Sequence, residues 1–180
     1  MKALIAFILF VSFSTLVKSN CVVDNNNSIF PTPLFINIKY RRLFYNPTIQ
    51  SSKLVFKVND EFIIACPGPG NKIRSLNVQE VKVKCDSSGQ FLVNHIRYKL
   101  DQLRCKNWPT SVQLTIGSCG GSFKRVDTGF AVSGIFTPVM STCFDDKTDR
   151  TLYTKMTLSK NAGFQKNVPR PSFRTGNFFK

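Results

Sequence analysis

Apolar residues between Leu34 and Leu158 recur at every second position or in short runs, and no stretch of a dozen residues shows a helical period. Leu34 to Tyr40 alternates after Pro31-Thr32-Pro33, and Lys53 to Val58 alternates again. Asn59-Asp60 then turns the chain into Glu61 to Cys66, which predicts a hairpin. Cys66-Pro67-Gly68-Pro69-Gly70-Asn71 cannot continue a strand and reads as a loop. Val78 to Cys85 sets Val81 and Val83 against Lys82 and Lys84. Asp86 to Gly89 turns the chain into Gln90 to Val93, where His95 follows as a strand-surface residue. Shorter strands are expected around Leu103-Arg104-Cys105 and Val112 to Ile116, with Gly117 to Ser122 as a glycine-rich link.

One longer strand is expected from Phe130 through Pro138 to Cys143-Phe144. It forms a hairpin, across the turn at Asp145 to Arg150, with a second arm in which Leu152, Thr154, Met156 and Leu158 would face a core. Strands this frequent, separated by Gly, Pro, Asn and Asp, predict a mainly β protein: an antiparallel sandwich or partly closed barrel.

The first 19 residues change the picture of where such a fold would operate. Lys2 precedes an apolar run from Ala3 to Val17, and Val17-Lys18-Ser19 ends in the small residue that a signal peptidase prefers. The run is shorter than the roughly 20 residues of a bilayer span. Residues 1–19 are therefore expected to be a signal peptide, leaving 161 of the 180 residues in a secreted, extracellular protein. An oxidising compartment suits the six cysteines, Cys21, Cys66, Cys85, Cys105, Cys119 and Cys143. The even number predicts three disulfides, whose pairing sequence leaves open. A zinc site is the competing use, but no two cysteines stand at ligand spacing and the chain has one histidine. Asn26-Asn27-Ser28 is a glycosylation acceptor at Asn26; Pro47 disqualifies Asn46-Pro47-Thr48.

The formal charge of +15 falls to +13 without Lys2 and Lys18, and such an excess points toward polyanionic partners: nucleic acid or heparin-like glycan. Basic and aromatic residues interleave at Tyr40 to Tyr45, His95 to Lys99, Phe123 to Arg125 and Lys166 to Phe178. Arg41, Arg42, Arg97, Lys99, Lys124, Arg125, Arg170 and Arg174 are the candidate nucleic-acid contacts. Cations there would neutralise phosphates and aromatic rings would stack on bases. The same string would arise from lysines on polar strand faces with aromatics turned to the core. Asp145, Asp146 and Asp149 lack the spacing and closing Glu of a calcium loop and read as a solvated turn, so no metal site is expected. His95 has no nearby carboxylate in sequence to make it a general base.

The order of Leu54 to Cys66 with Pro67-Gly68, then Cys85, Cys105 and Cys119, then Gly129-Phe130 to Cys143-Phe144-Asp145, Tyr153 to Leu158, Asn161 to Gln165 and Arg170-Pro171-Ser172-Phe173 resembles the front portion of secreted arthropod DNA/RNA non-specific endonucleases of the ββα-metal class. The resemblance spans nearly the whole mature chain, with Cys66-Pro67-Gly68 and Arg170 to Phe173 its most specific parts. It implies a cysteine-rich β accessory domain over residues 20–121 and the opening hairpin of a truncated α+β nuclease domain over 122–180. The family cuts phosphodiesters with an Asp-Arg-Gly-His motif and Mg²⁺. Here the only Asp-Arg pair, Asp149-Arg150, is followed by Thr151-Leu152, and His95 lies upstream of where the motif belongs. No catalytic residue carries over, and Mg²⁺ is expected only with the absent region. The end at Phe178-Phe179-Lys180 adds to the expectation that more protein follows. The resemblance thus implies a non-catalytic family member or fragment binding nucleic acid through a basic surface. The rival expectation is a stand-alone secreted polyanion-binding protein derived from the accessory domain.

Overall fold

The computed structural model describes residues 19–24, 31–41, 44–50 and 53–156. Residues 1–18 of the expected signal peptide, Asn26, Arg42, Arg170, Arg174 and the Arg170 to Phe173 segment lie outside the described residues.

Among the described residues, twelve strands form three antiparallel sheets. Strands β1 (Cys21–Asp24), β3 (Thr48–Gln50) and β4 (Lys53–Phe56) make a three-stranded sheet ordered β1-β4-β3. Strands β2 (Leu34–Asn37), β5 (Glu61–Ala65), β6 (Glu80–Cys85), β7 (Phe91–Val93) and β8 (Ile96–Tyr98) make a five-stranded sheet in the order β2-β5-β6-β7-β8. Strands β9 (Val112–Ser118), β10 (Lys124–Val132), β11 (Ile135–Asp145) and β12 (Arg150–Met156) form the third, ordered β12-β11-β10-β9. The chain is mainly β as its periodicity predicts, and the sheets do not close into a barrel.

The first two sheets sandwich one core. Leu54 and Phe56 from β4 meet Phe62 and Ile64 from β5, with Val83, Phe91 and Val93 alongside. The Phe56 and Phe62 rings stack at 4.8 Å between centroids, and Tyr45 stacks on Phe62 at 4.9 Å. Burial, together with a hydrogen bond to Asp60, drives the Tyr45 hydroxyl pKa upward. Strand β5 reads as an unbroken apolar run because both its faces are covered: Phe62 and Ile64 enter this core, while Ile63 and Ala65 pack with Ile36 and Val132 on the other side. Through Val132 the four-stranded sheet reaches the five-stranded one. Thr137 Oγ1 donates to the Arg41 carbonyl at 2.8 Å, and Phe44 meets Phe130 edge to face, adding to that contact.

The three disulfides are Cys21–Cys85, Cys66–Cys105 and Cys119–Cys143. The first ties β1 to β6, hence one layer of the sandwich to the other. Closing loops with separations of 64, 39 and 24 residues restricts the unfolded chain by about 3 to 4 kcal/mol each in the loop-entropy picture.

Four local expectations are corrected. Lys53–Phe56 and Glu61–Ala65 are not a hairpin: the turn exists, with Asp60 N donating to Lys57 O at 2.9 Å, but it carries the chain from one sheet into the other. The long strand through Pro138 is two strands joined at Ser133-Gly134, both at positive φ, the geometry of a tight hairpin turn. Around Leu103 the backbone forms a 3-10 turn over Leu100–Leu103, and only Cys105 makes an isolated bridge. Strand β12 pairs with β11 as expected, yet all seven of its residues are exposed, so neither face meets a core.

Pro138 is accommodated in an inner strand because the β10–β11 register shifts beside it: Thr128 pairs with Met140 and Gly129 with Pro138, leaving Val139 as a bulge. A side chain at Gly129 would stand 2.2 Å from the Thr137 carbonyl oxygen, so this bulge admits only glycine there. The expected division between 121 and 122 falls inside the turn joining β9 to β10, two paired strands of one sheet. No helix among the described residues is long and apolar enough to cross a membrane.

Candidate polyanion-binding surface

The basic residues singled out by interleaving with aromatics are scattered. Arg41 follows β2 at one edge of the five-stranded sheet, Arg97 and Lys99 belong to the β8 edge, and Lys124 and Arg125 open β10. Most already hold a carboxylate. Arg41 Nη2 donates to both Glu80 oxygens at 2.7 and 2.6 Å, and Arg97 Nε donates to Asp86 Oδ2 at 2.6 Å. Lys124 pairs with Asp146. Arg125 grips Asp127 through two nitrogens at 3.0 and 3.1 Å, and its Nε also donates to the Ser141 hydroxyl at 3.0 Å.

These pairs order the acids more than they prepare a ligand site. Burial pushes the Asp86 carboxyl up, but donors from Ser88, Arg97 and the Gln90 amide outweigh it and hold the group far below the usual carboxylate range. Asp127, burial opposing, is likewise lowered by Arg125 and Ser141. In the acidic turn, Thr148 and the Lys147 amide lower Asp145, and Lys124 lowers Asp146. Among the described residues no group of three or more His, Cys, Asp or Glu side chains is placed to hold a metal ion. His95 is not on a strand face. With Asn94 it forms the two-residue turn between β7 and β8, at φ of 46° and 70°, and it is exposed.

A different group of cations is brought together by the fold. Ile73 and Cys105 form an isolated antiparallel bridge, flanked by Arg74 N donating to Arg104 O at 2.9 Å and Lys106 N donating to Lys72 O at 2.8 Å. Ile73 and Cys105 are fully buried and point into the core. Alternation about the bridge turns their neighbours Lys72, Arg74, Arg104 and Lys106 away from that core; Arg74 and Lys106 are exposed, Lys72 and Arg104 half-buried. Among the described residues none of the four is paired with a carboxylate; Lys106 Nζ donates to Asn77 Oδ1 at 3.2 Å. The Arg104 Nε is buried without a hydrogen-bond partner among the described residues.

The ribbon is fixed from beneath. The Cys66–Cys105 disulfide fastens it to the end of β5. The buried Asn71 amide joins its two arms: Oδ1 accepts from Lys72 N and Asn107 N, both at 3.0 Å, and Nδ2 donates to the carbonyls of Asn107 at 3.0 Å and Pro67 at 3.2 Å. It also donates to the carbonyl of Trp108, a residue 58% exposed, at 3.4 Å. Just beyond, Thr110 lines a shallow cavity of about 300 Å³ with Gly68, Pro69, Gln79, Val112 and Ala131.

The quartet is not legible in the sequence because its two halves, 72–74 and 104–106, lie at least thirty positions apart, in segments where the apolar pattern is weakest. The one available signal was the x-Cys-x pattern Arg104-Cys105-Lys106 beside Lys72-Ile73-Arg74: two cation-apolar-cation triplets of the kind that pair. Comparisons with protein-family models, curated proteins and solved structures find no match.

Proposed function

We propose that this chain is a secreted binding protein for nucleic acid, without catalytic machinery of its own in these residues, and that Lys72, Arg74, Arg104 and Lys106 hold the phosphates. The carrying observation is the Ile73–Cys105 bridge, which gathers four cations that lack carboxylate partners among the described residues. Arg41, Arg97, Lys124 and Arg125 would have to release an acid before engaging phosphate, whereas these four would not. The signal-like N-terminus, the three disulfides and the charge of +15 support an extracellular polyanion binder. The resemblance to the accessory region of secreted nucleases supports nucleic acid as the polyanion.

The test is binding of oligonucleotide as a function of salt. Each phosphate neutralised on a single strand contributes about 0.7 to the slope of log affinity against log salt. Replacing Lys72, Arg74 and Lys106 together by Ala should lower the slope by roughly 2, while Arg41→Ala should leave it nearly unchanged. A triple variant with the parent's slope would refute the assignment. Heparin binding that depends on the same three residues, with no affinity for oligonucleotide, would assign the surface to sulfated glycan instead.

A further inference from the structure

Two of the three disulfides are sealed in the core, and the third is not. Cys21, Cys85, Cys66 and Cys105 are fully buried members of the main hydrophobic cluster. In the third pair Cys143 is buried but Cys119 is only half-buried, the one sulfur of the six that solvent can reach. Cys119 lies in the turn between β9 and β10, where its amide donates to Phe123 O at 3.3 Å and Phe123 N donates to Gly120 O at 3.1 Å. A side chain added at Gly120 or Gly121 would meet nothing within 4 Å, so this turn stands clear of the rest of the fold.

The same turn ends the strand that has least to hold it. Strand β9 is at the edge of its sheet, none of its seven residues is buried, and Val112, Leu114 and Ile116 are all exposed. It contributes to neither hydrophobic cluster. Its ladder to β10 and the Cys119–Cys143 bond, which reaches past β10 to β11, are what fasten it among the described residues.

We infer that Cys119 is a thiol–disulfide exchange site for a low-molecular-weight thiol, and that its bond to Cys143 is a clasp whose release frees β9. A thiolate attacks the accessible Cys119 sulfur. A mixed disulfide forms there, the bond to Cys143 breaks, and Cys143 leaves as a thiolate that takes a proton from water. A second thiolate attacks the mixed disulfide and departs with the first as their disulfide, leaving Cys119 as a thiol after protonation. Two small thiols are oxidised for the one protein disulfide reduced. The buried pairs offer no such approach until the sandwich itself opens. With the clasp gone, β9 keeps only its ladder, so it opens locally while the core and its two disulfides stay closed.

The experiment treats the native protein with excess reduced glutathione, quenches with iodoacetamide at intervals and maps each cysteine by peptide mass spectrometry, with amide hydrogen exchange followed in parallel. Cys119 should carry the transient glutathione adduct, and Cys119 and Cys143 should be alkylated at least about tenfold faster than the other four. Amide exchange over Val112 to Ser118 should quicken by roughly 10- to 100-fold, with β5 and β6 unchanged. An adduct on Cys143, equal release of all three bonds, or no release short of denaturation would overturn the exchange site. Release without faster exchange in β9 would overturn the clasp. The double variant Cys119→Ser/Cys143→Ser should exchange fast in β9 before glutathione is added and not respond to it. Parent-like protection of β9 in that variant would also overturn the clasp, and the measurements on the parent decide the question without it.

Discussion

Asp86 Oδ2 accepts a 2.6 Å hydrogen bond from Arg97 Nε, while its other oxygen accepts from the Ser88 hydroxyl at 2.6 Å and the Ser88 amide at 2.8 Å. With the Gln90 amide at 3.2 Å, four donors converge on this carboxylate, which is why the charged form is favoured despite partial burial. An arginine chosen from sequence as a nucleic-acid contact thereby serves the turn after β6.

The consequence is a pH dependence with a definite sign. Asp86 is more acidic folded than unfolded, so the unfolded chain takes up the proton first as pH falls. Its stabilisation is complete at neutral pH and is lost progressively below about pH 4. Asp86→Asn should destabilise the protein by roughly 1.5 to 3 kcal/mol at pH 7, and thermal melts should show the gap to the parent narrowing steadily as pH falls below about 4.

At the β10–β11 bulge, Gly129→Ala should cost on the order of 2 to 4 kcal/mol, because the new methyl group would occupy the space of the Thr137 carbonyl oxygen 2.2 Å away. Chemical denaturation measures this. Ala at Gly134, where nothing lies within 4 Å, meets only the cost of its positive φ and should be milder.

His95 occupies the second position of a tight hairpin turn at φ 70°, a conformation in which glycine is preferred after asparagine. His95→Gly should therefore raise stability by about 1 kcal/mol, seen as a melting temperature higher by a few degrees, and leave oligonucleotide binding unchanged. A loss of stability would contradict the turn geometry.

Asn71→Ala leaves two backbone amides and several carbonyls without their side-chain partner in a buried place. It should cost roughly 2 to 3 kcal/mol and should weaken oligonucleotide binding while the quartet's residues remain intact. Amide hydrogen exchange at Lys72 and Asn107 gives the local readout.

The strands were legible where one face is buried and the other wet. Val83 and Cys85 on β6 show the alternation outright, and the turns at Asp86 to Gly89 and Asp145 to Arg150 announce themselves by composition. Pairing was less legible, because it is decided by partners distant in sequence. Lys53 to Cys66 has every local mark of a hairpin, yet β4 pairs with β1 and β3, and β5 with β2 and β6. Ser133-Gly134 was hidden by apolar residues on both sides, which made two strands read as one. The candidate surface was the least legible part, since interleaving within one stretch cannot foresee that Arg41 and Arg97 meet acids or that Lys72 and Lys106 meet each other.

On the polyanion-binding proposal, the Cys66–Cys105 bridge makes the grip conditional on redox chemistry outside the ligand altogether. A reductant that opens this bond frees one arm of the cationic ribbon from β5, so the same polypeptide made in a thiol-rich cytosol would present its charges without their spacing. On that proposal, an oxidising compartment is what confers recognition.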